Sequence, residues 1–249
     1  MYIQIVNSLI GIDTAQWHKL MGTGYPFLRH EFLLALEQSG SIGEDSGWLP
    51  CYPLIYNEKN ELIAALPLYL KFHSYGEFVF DWAWADAYQR HGLDYYPKLL
   101  AAIPFTPATG SRFIYREDYD LKTLLPLLQQ GLQQLLNKTQ ASGWHCLFPS
   151  AQELPVWEKL GGKTRLGCQF HWHNQNFQHF DDFLATMTAK KRKNIRQERA
   201  AVKNLGLEVK RYQGQQISED VWQTFYQFYC LTNQKYNGHD GYLNATFFS

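Results

Sequence analysis

The stretch Leu121-Lys122-Thr123-Leu124-Leu125-Pro126-Leu127-Leu128-Gln129-Gln130-Gly131-Leu132-Gln133-Gln134-Leu135-Leu136 decides the fold. Its leucines at 121, 124, 125, 128, 132, 135 and 136 recur at steps of three and four, which lines one face of an α-helix. Pro126 lacks an N–H and would break a helix interior, so the reading starts the helix near Thr123, with Pro126 in its first turn. On either side stand apolar runs that read as buried strands, residues 99–105 before it and 144–148 after it. Strand, helix and strand in that order make a mixed α/β sheet with helices on its faces.

Outward from this unit the pattern continues. Residues 2–6 read as a strand, and 14–21 as a short helix behind Asp13 as N-cap. A turn at Gly22-Thr23-Gly24-Tyr25-Pro26 leads to a helix over 27–39 that Gly40 closes. Residues 51–56 and 62–72 read as two strands joined by the hairpin loop Asn57-Glu58-Lys59-Asn60, and 75–80 as a continuation of the sheet. A helix over 151–160 and a strand over 164–173 follow. Asp181 and Asp182 then open one long helix that runs to about Asn204 and stops at Gly206. A strand over 207–212 and a helix over 218–233 complete the chain. The expected domains are therefore 1–163, a full mixed-sheet unit, and 164–249, a second α/β unit that begins and is cut short.

Composition excludes several classes. The chain has 249 residues, 45% of them hydrophobic, with 23 Lys plus Arg against 23 Asp plus Glu, which is globular rather than disordered. The longest apolar run, residues 62–70, contains a proline and is far short of the ~18–20 residues a membrane span needs. The N-terminus has no basic region and no cleavage site of a secretory signal. Cys51, Cys146, Cys168 and Cys230 are scattered without a C-x-x-C pair, which fits a reducing, cytoplasmic setting and no structural metal. The neutrality hides an asymmetry: residues 1–163 carry 12 basic and 16 acidic side chains, residues 164–249 carry 11 and 7. Seven cations from Lys190 to Lys203 are opposed only by Glu198, which points to an anionic partner.

Four stretches carry chemistry. Asp81-Trp82-Ala83-Trp84-Ala85-Asp86-Ala87-Tyr88 puts two carboxylates among three large aromatics. If extended, it sets Trp82 and Trp84 on one face and Asp81 on the other. A carboxylate beside indole rings loses solvation, which tunes it as a base for an ammonium substrate. Tyr95, Tyr96 and Lys98 follow closely enough to line the same cleft. The loop Thr106-Pro107-Ala108-Thr109-Gly110-Ser111-Arg112 joins a strand to a helix, a place where backbone N–H groups, hydroxyls and a guanidinium meet phosphates. His171 and His173 share one face of a strand, where polar contact to a substrate or strand packing outweighs a metal site that lacks a third ligand. Arg192, Arg196 and Arg199 form one stripe of the basic helix and suit the phosphates of CoA, a nucleotide sugar or tRNA. DNA reading is disfavoured by the neutral to acidic remainder of the chain.

Further stretches complete a pattern. They are Arg29-His30-Glu31-Phe32, Pro67-Leu68-Tyr69-Leu70-Lys71, Ser74-Tyr75-Gly76-Glu77, Tyr95-Tyr96-Pro97-Lys98-Leu99-Leu100, Pro104-Phe105-Thr106-Pro107, His171-Trp172-His173-Asn174 and Lys191-Arg192-Lys193-Asn194-Ile195-Arg196. Together with Asp81 to Tyr88 they resemble the bacterial peptidoglycan biosynthesis/recognition proteins, a Fem-like branch of the GNAT acyltransferase superfamily. The resemblance covers nearly the whole chain. It implies an α/β (α+β) fold, a GNAT-like mixed sheet flanked by helices with an incomplete second GNAT-like unit. It also implies acyl or aminoacyl transfer to a small-molecule or peptide amine linked to cell-wall precursors, with acyl-CoA or aminoacyl-tRNA as donor and no metal. The 106–112 loop falls where GNAT domains place their pyrophosphate loop, but departs from the usual Gln/Arg-x-x-Gly-x-Gly/Ala pattern. On this reading Asp81 or Asp86 is the base or ammonium anchor, and Tyr88, Tyr95 or Tyr96 donates protons. Trp82, Trp84, Lys98, His171 and His173 meet substrate. Thr106, Thr109, Gly110, Ser111 and Arg112, with Arg192 and Arg196, hold the phosphates of the donor. The alternative is a non-catalytic module that recognises peptidoglycan precursors or peptides.

Overall fold

The computed structural model describes residues 1–21 and 24–248; the turn read at Gly22 and Thr23 lies outside the described residues. In chain order the elements are β1 (Tyr2–Val6), α1 (Thr14–His18), α2 (His30–Gln38), β2 (Trp48–Pro50), β3 (Tyr52–Tyr56), β4 (Leu62–Ala65), β5 (Tyr69–Lys71), α3 (Trp82–Arg90), β6 (Lys98–Ala101), β7 (Ile114–Tyr115), α4 (Leu121–Thr139), β8 (Trp144–Cys146), α5 (Leu154–Lys159), α6 (Phe180–Ala185), α7 (Ala189–Asn204) and α8 (Glu219–Asn237). This is a mixed α/β protein. It divides into two units, Met1–Thr164 with Glu219–Ser249, and Arg165–Ser218.

The first unit holds two four-stranded sheets, ordered β1-β3-β4-β7 and β2-β5-β6-β8. All pairings are antiparallel except β6 with β8, the parallel pair that α4 connects. Residues 62–72, expected as one strand, are two: β4 lies in the first sheet and β5 in the second. Pro67 has no N–H for a ladder, so the strand breaks there and changes sheet. The facing arm bends with it, held by Leu66 N–H to the Pro53 carbonyl at 3.0 Å and Cys51 N–H to the Leu68 carbonyl at 2.9 Å. Residues 75–80 do not extend the sheet; they form a loop that leads into α3.

Helix α4 begins two residues before the expected start. The Asp120 carboxylate accepts the Lys122 N–H at 2.9 Å and caps it, so Pro126 falls in the second turn. The leucine stripe buries as its spacing requires: Leu124, Leu128, Leu132 and Leu135 join Ile63, Leu99, Ala101 and Trp157 in one core. A second core under α1 and α2 gathers Trp17, Leu33, Leu36, Trp48 and Tyr69. Residues 242–248, read from sequence as part of the later unit, pack on this second core. Phe247 sets its ring edge-on to Phe32, Tyr242 stacks on Phe105 with centroids 4.9 Å apart, and the Asn244 amide donates to the Ser39 carbonyl.

The second unit corrects three expectations. Residues 164–173 and 207–212 form no strand, because alternation alone makes no ladder without a neighbouring edge. The long helix from Asp181 is two helices, α6 and α7, separated at Thr186-Met187-Thr188, where Thr188 caps α7 by accepting the Lys191 N–H.

Truncation of a stripe leucine tests the core. Leu128→Ala is expected to lower unfolding free energy by about 2–5 kcal/mol in denaturant titration. Gln129→Ala, one residue on and exposed, is expected to change it by less than about 0.5 kcal/mol.

Candidate functional site

Strands β5 and β6 set Lys71 and Lys98 directly opposite each other in the ladder. Both are buried, at 0% and 1% exposure. Like charges facing across a ladder repel, and more so away from water. The loop from β5 to α3 supplies the compensation. Lys98 Nζ donates to Glu77 Oε2 at 2.8 Å, to Asp81 Oδ2 at 2.5 Å and to Ser74 Oγ at 2.8 Å. Tyr95 donates its hydroxyl to the same Asp81 oxygen at 2.7 Å. Lys71 Nζ lies 4.0 Å over the Trp48 ring and donates to the Tyr75 carbonyl at 3.3 Å. Ser74 Oγ is 2.7 Å from the hydroxyl of Tyr96, which is only partly buried. A continuous hydrogen-bonded path thus runs from Asp81 through Lys98 and Ser74 to Tyr96.

Burial and charge set the proton affinities. Burial pushes the Lys71 amine down to about 7, with the Lys98 charge adding to it against the attraction of Glu77. Burial raises the Glu77 carboxyl despite both lysines. Burial also acts to raise Asp81, but the hydrogen bonds from Lys98, Tyr95 and Ser74 outweigh it and hold the carboxyl below its ordinary value. Both tyrosines are raised, chiefly by burial, so both hydroxyls keep their protons at neutral pH. Oδ1 of Asp81 and Oε1 of Glu77 are buried and accept no hydrogen bond among the described residues.

The structure brings together Asp81, Tyr95, Tyr96 and Lys98 from the sequence reading. Residues 81–88 are not extended. Asp81 stands at the N-cap position of α3 without capping it, because its carboxylate turns inward to Lys98. Helical geometry rotates Trp82 and Trp84 about 200° apart instead of onto one face. Both are exposed, as are Tyr75 and Phe80, and Tyr75 meets Trp82 edge-on at 5.9 Å, so aromatics rim the loop above the cluster. Asp86 faces solvent and pairs with Arg90 at 2.9 Å, apart from the cluster. Tyr88 meets it through an edge-on ring contact with Tyr95 at 5.2 Å.

The other candidates lie elsewhere. The 106–112 loop leads into β7, not into a helix N-terminus. The Arg112 guanidinium is buried and donates to the carbonyls of Ala108, Gly110, Ser111 and Leu147 and to the Tyr25 hydroxyl. Gly110 N–H donates to the Phe148 carbonyl, and the N–H groups of Arg112 and Phe113 donate to the Glu153 carboxylate. Thr106 donates to the Pro104 carbonyl, while Thr109 and Ser111 are exposed. Arg112 is therefore a clamp within the fold and has no guanidinium face turned outward to a phosphate. In the second unit His171 and His173 are exposed with stacked rings. Arg192 donates to the Leu184, Ala185 and Met187 carbonyls at the end of α6, and Arg196 pairs with Asp181 at 2.8 Å.

Sequence reading gave no role to Lys71, Ser74, Glu77 or Glu153, although the first three lie in stretches that carry the family resemblance.

A mixed α/β protein with a buried lysine–carboxylate cluster is the class that fold and site define. The model of the FemAB-like family, described as peptidoglycan biosynthesis/recognition, matches residues 8–249. The chain belongs to that family. Comparison with curated protein sequences gives no match. A crystal structure described as that of a probable acetyltransferase is similar at 15% identity over 72% of this chain and 100% of its own, with a TM-score of 0.39. Among the described residues no helix is long and apolar enough to cross a membrane.

The depressed Lys71 amine has a consequence for stability. Above about pH 7 the folded chain holds Lys71 neutral, while the unfolded chain keeps it protonated up to the ordinary value of 10.5. The unfolded state binds more protons in that window, so this group makes stability rise with pH there. Denaturant titrations across the window are expected to show a shallower rise, or a steeper fall, for Lys71→Met than for the wild type.

Proposed function

We propose that the chain transfers an acyl or aminoacyl group to an amine of a cell-wall peptide precursor in the cytoplasm. The hydrogen-bonded path Asp81–Lys98–Ser74–Tyr96 carries this reading, and membership of a peptidoglycan biosynthesis/recognition family supports it. An amine attacks a carbonyl only as the free base, so the reaction needs a route for one proton. Tyr75 and Trp82 at the rim offer ring faces to an ammonium group. As the new C–N bond forms, the C–S bond of an acyl-CoA or the ester C–O bond of an aminoacyl-tRNA breaks. The amine gives up a proton and the leaving thiolate or alkoxide takes one. The Tyr96 hydroxyl, neutral and partly exposed, accepts the proton of the amine as it passes its own to the leaving thiolate or alkoxide. The Lys98 ammonium donates to Ser74 Oγ, which turns the Ser74 hydroxyl toward the Tyr96 oxygen, and the Asp81 carboxylate balances the Lys98 charge. Thr109 and Ser111, exposed on the 106–112 loop, are the hydroxyls left to meet donor phosphates.

The exposed aromatic rim over buried carboxylates favours a second reading, recognition of a precursor without turnover. One experiment separates the two. The protein is incubated with an amine-bearing muropeptide precursor and either acetyl-CoA or charged tRNA, and the acceptor is weighed by mass spectrometry. Transfer adds the mass of the acyl or aminoacyl group. Thermal stabilisation by the precursor with no mass gain establishes recognition alone. Tyr96→Phe removes only the partly buried hydroxyl and is expected to lower kcat by roughly 100-fold, with a small change in melting temperature. Asp81→Asn is the poorer probe, because removing one partner of a buried ion pair costs about 3–5 kcal/mol of stability by itself.

A further inference from the structure

The unit Arg165–Ser218 carries ten Lys and Arg against four Asp and Glu, a net charge of +6, and the chain as a whole is neutral, so the first unit carries −6. Six of these cations, all on α7, fall into two groups. Three arginines on one stripe of α7 are held within it: Arg192 on the α6 carbonyls, Arg196 on Asp181, and Arg199 over the Phe180 ring at 4.2 Å. Lys190, Lys191 and Lys193 stand exposed in the first turns of the same helix and form no ion pair among the described residues. The positive end of the helix dipole disfavours cations there, so the fold maintains this concentration of charge against its own electrostatics. The same unit exposes apolar side chains almost fully: Leu166 at 90%, Phe170 at 98% and Val209 at 92%, with Trp172, Leu205 and Leu207 also open to solvent.

We propose that this unit docks on an anionic bilayer surface, with Lys190, Lys191 and Lys193 meeting lipid phosphates and carboxylates and the exposed apolar side chains entering the headgroup boundary. Unpaired lysines and exposed apolar side chains within one unit are the composition of an interfacial anchor. A nucleic acid fits less well. Its phosphates favour the fork of arginine, and here Arg192, Arg196 and Arg199 are engaged inside the unit. Of the six exposed apolar side chains, Phe170 and Trp172 could stack on bases, but four, Leu166, Leu205, Leu207 and Val209, are aliphatic and partition into acyl chains.

The experiment is co-sedimentation of the full chain with phosphatidylcholine vesicles, with and without phosphatidylserine, beside two variants whose circular dichroism matches the wild type. Binding only to the anionic vesicles is expected. At about 1 kcal/mol per lysine near a charged surface, Lys190→Gln/Lys191→Gln/Lys193→Gln together is expected to lower the partition coefficient by roughly 100-fold. Leu166→Ser/Val209→Ser is expected to weaken binding at all salt concentrations, since its contribution is not electrostatic. Equal binding to neutral vesicles, or none to either, overturns the proposal. So does lipid-independent self-association that the lysine variant abolishes, which assigns the surface to a second copy. A gel shift with a tRNA mixture that the lysine variant loses and the Leu166/Val209 variant keeps, without vesicle binding, assigns it to RNA.

Discussion

The register of β5 against β6 imposes the constraint on which the site depends. It places two ammonium groups opposite each other in a dry sheet. That arrangement is untenable unless negative charge arrives from the same side. Residues 72–81 bring it, folding back over the strand ends so that Glu77 and Asp81 reach Lys98. The position of α3 follows, because its first residue comes directly after Asp81. The Asp81 carboxylate would ordinarily cap the helix; drawn to Lys98, it leaves that role unfilled. The two lysines are compensated unequally. Lys98 has both carboxylates and a hydroxyl, whereas Lys71 has a ring face and one long hydrogen bond, and burial, with the Lys98 charge beside it, depresses the Lys71 amine.

What was legible in the sequence was whatever a single element decides. The leucine stripe of α4 needs only its own periodicity, and the strands on either side need only their apolar runs. Asp81, Tyr95, Tyr96 and Lys98 stood out as polar residues among aromatics, and the structure gathers them. What was illegible depends on partners distant in the chain. The turn of residues 62–72 from one sheet to the other is decided by Pro67 together with the facing arm at Pro50 and Pro53. Alternation over 164–173 marks a segment able to be a strand, but a ladder requires an edge beside it. Arg112 shows the same limit for chemistry. A guanidinium in a glycine-containing loop suits a phosphate, and only the carbonyls that surround it here reveal an internal clamp. The pattern of residues 81–88 leaves the conformation open for a local reason: alternating Trp and Ala fits an extended chain, but the alanines also favour helix, and helix prevails.

The neutrality of the chain has a sharper meaning once the units are drawn from the structure. Returning residues 219–249 to the first unit widens the asymmetry from four charges to six on each side. The division of labour among the basic residues of α7 follows from their chemistry. Arginine holds several acceptors at once in a planar fork and stacks on a ring, so it suits the carbonyls at the end of α6, the Asp181 carboxylate and the Phe180 face. Lysine is a compact, strongly hydrated charge with no comparable geometry to satisfy, and it is lysine that remains turned outward. A basic stretch that looks uniform in sequence therefore contains two populations, one holding the helical hairpin together and one left free, and only the second defines the charge that a partner meets.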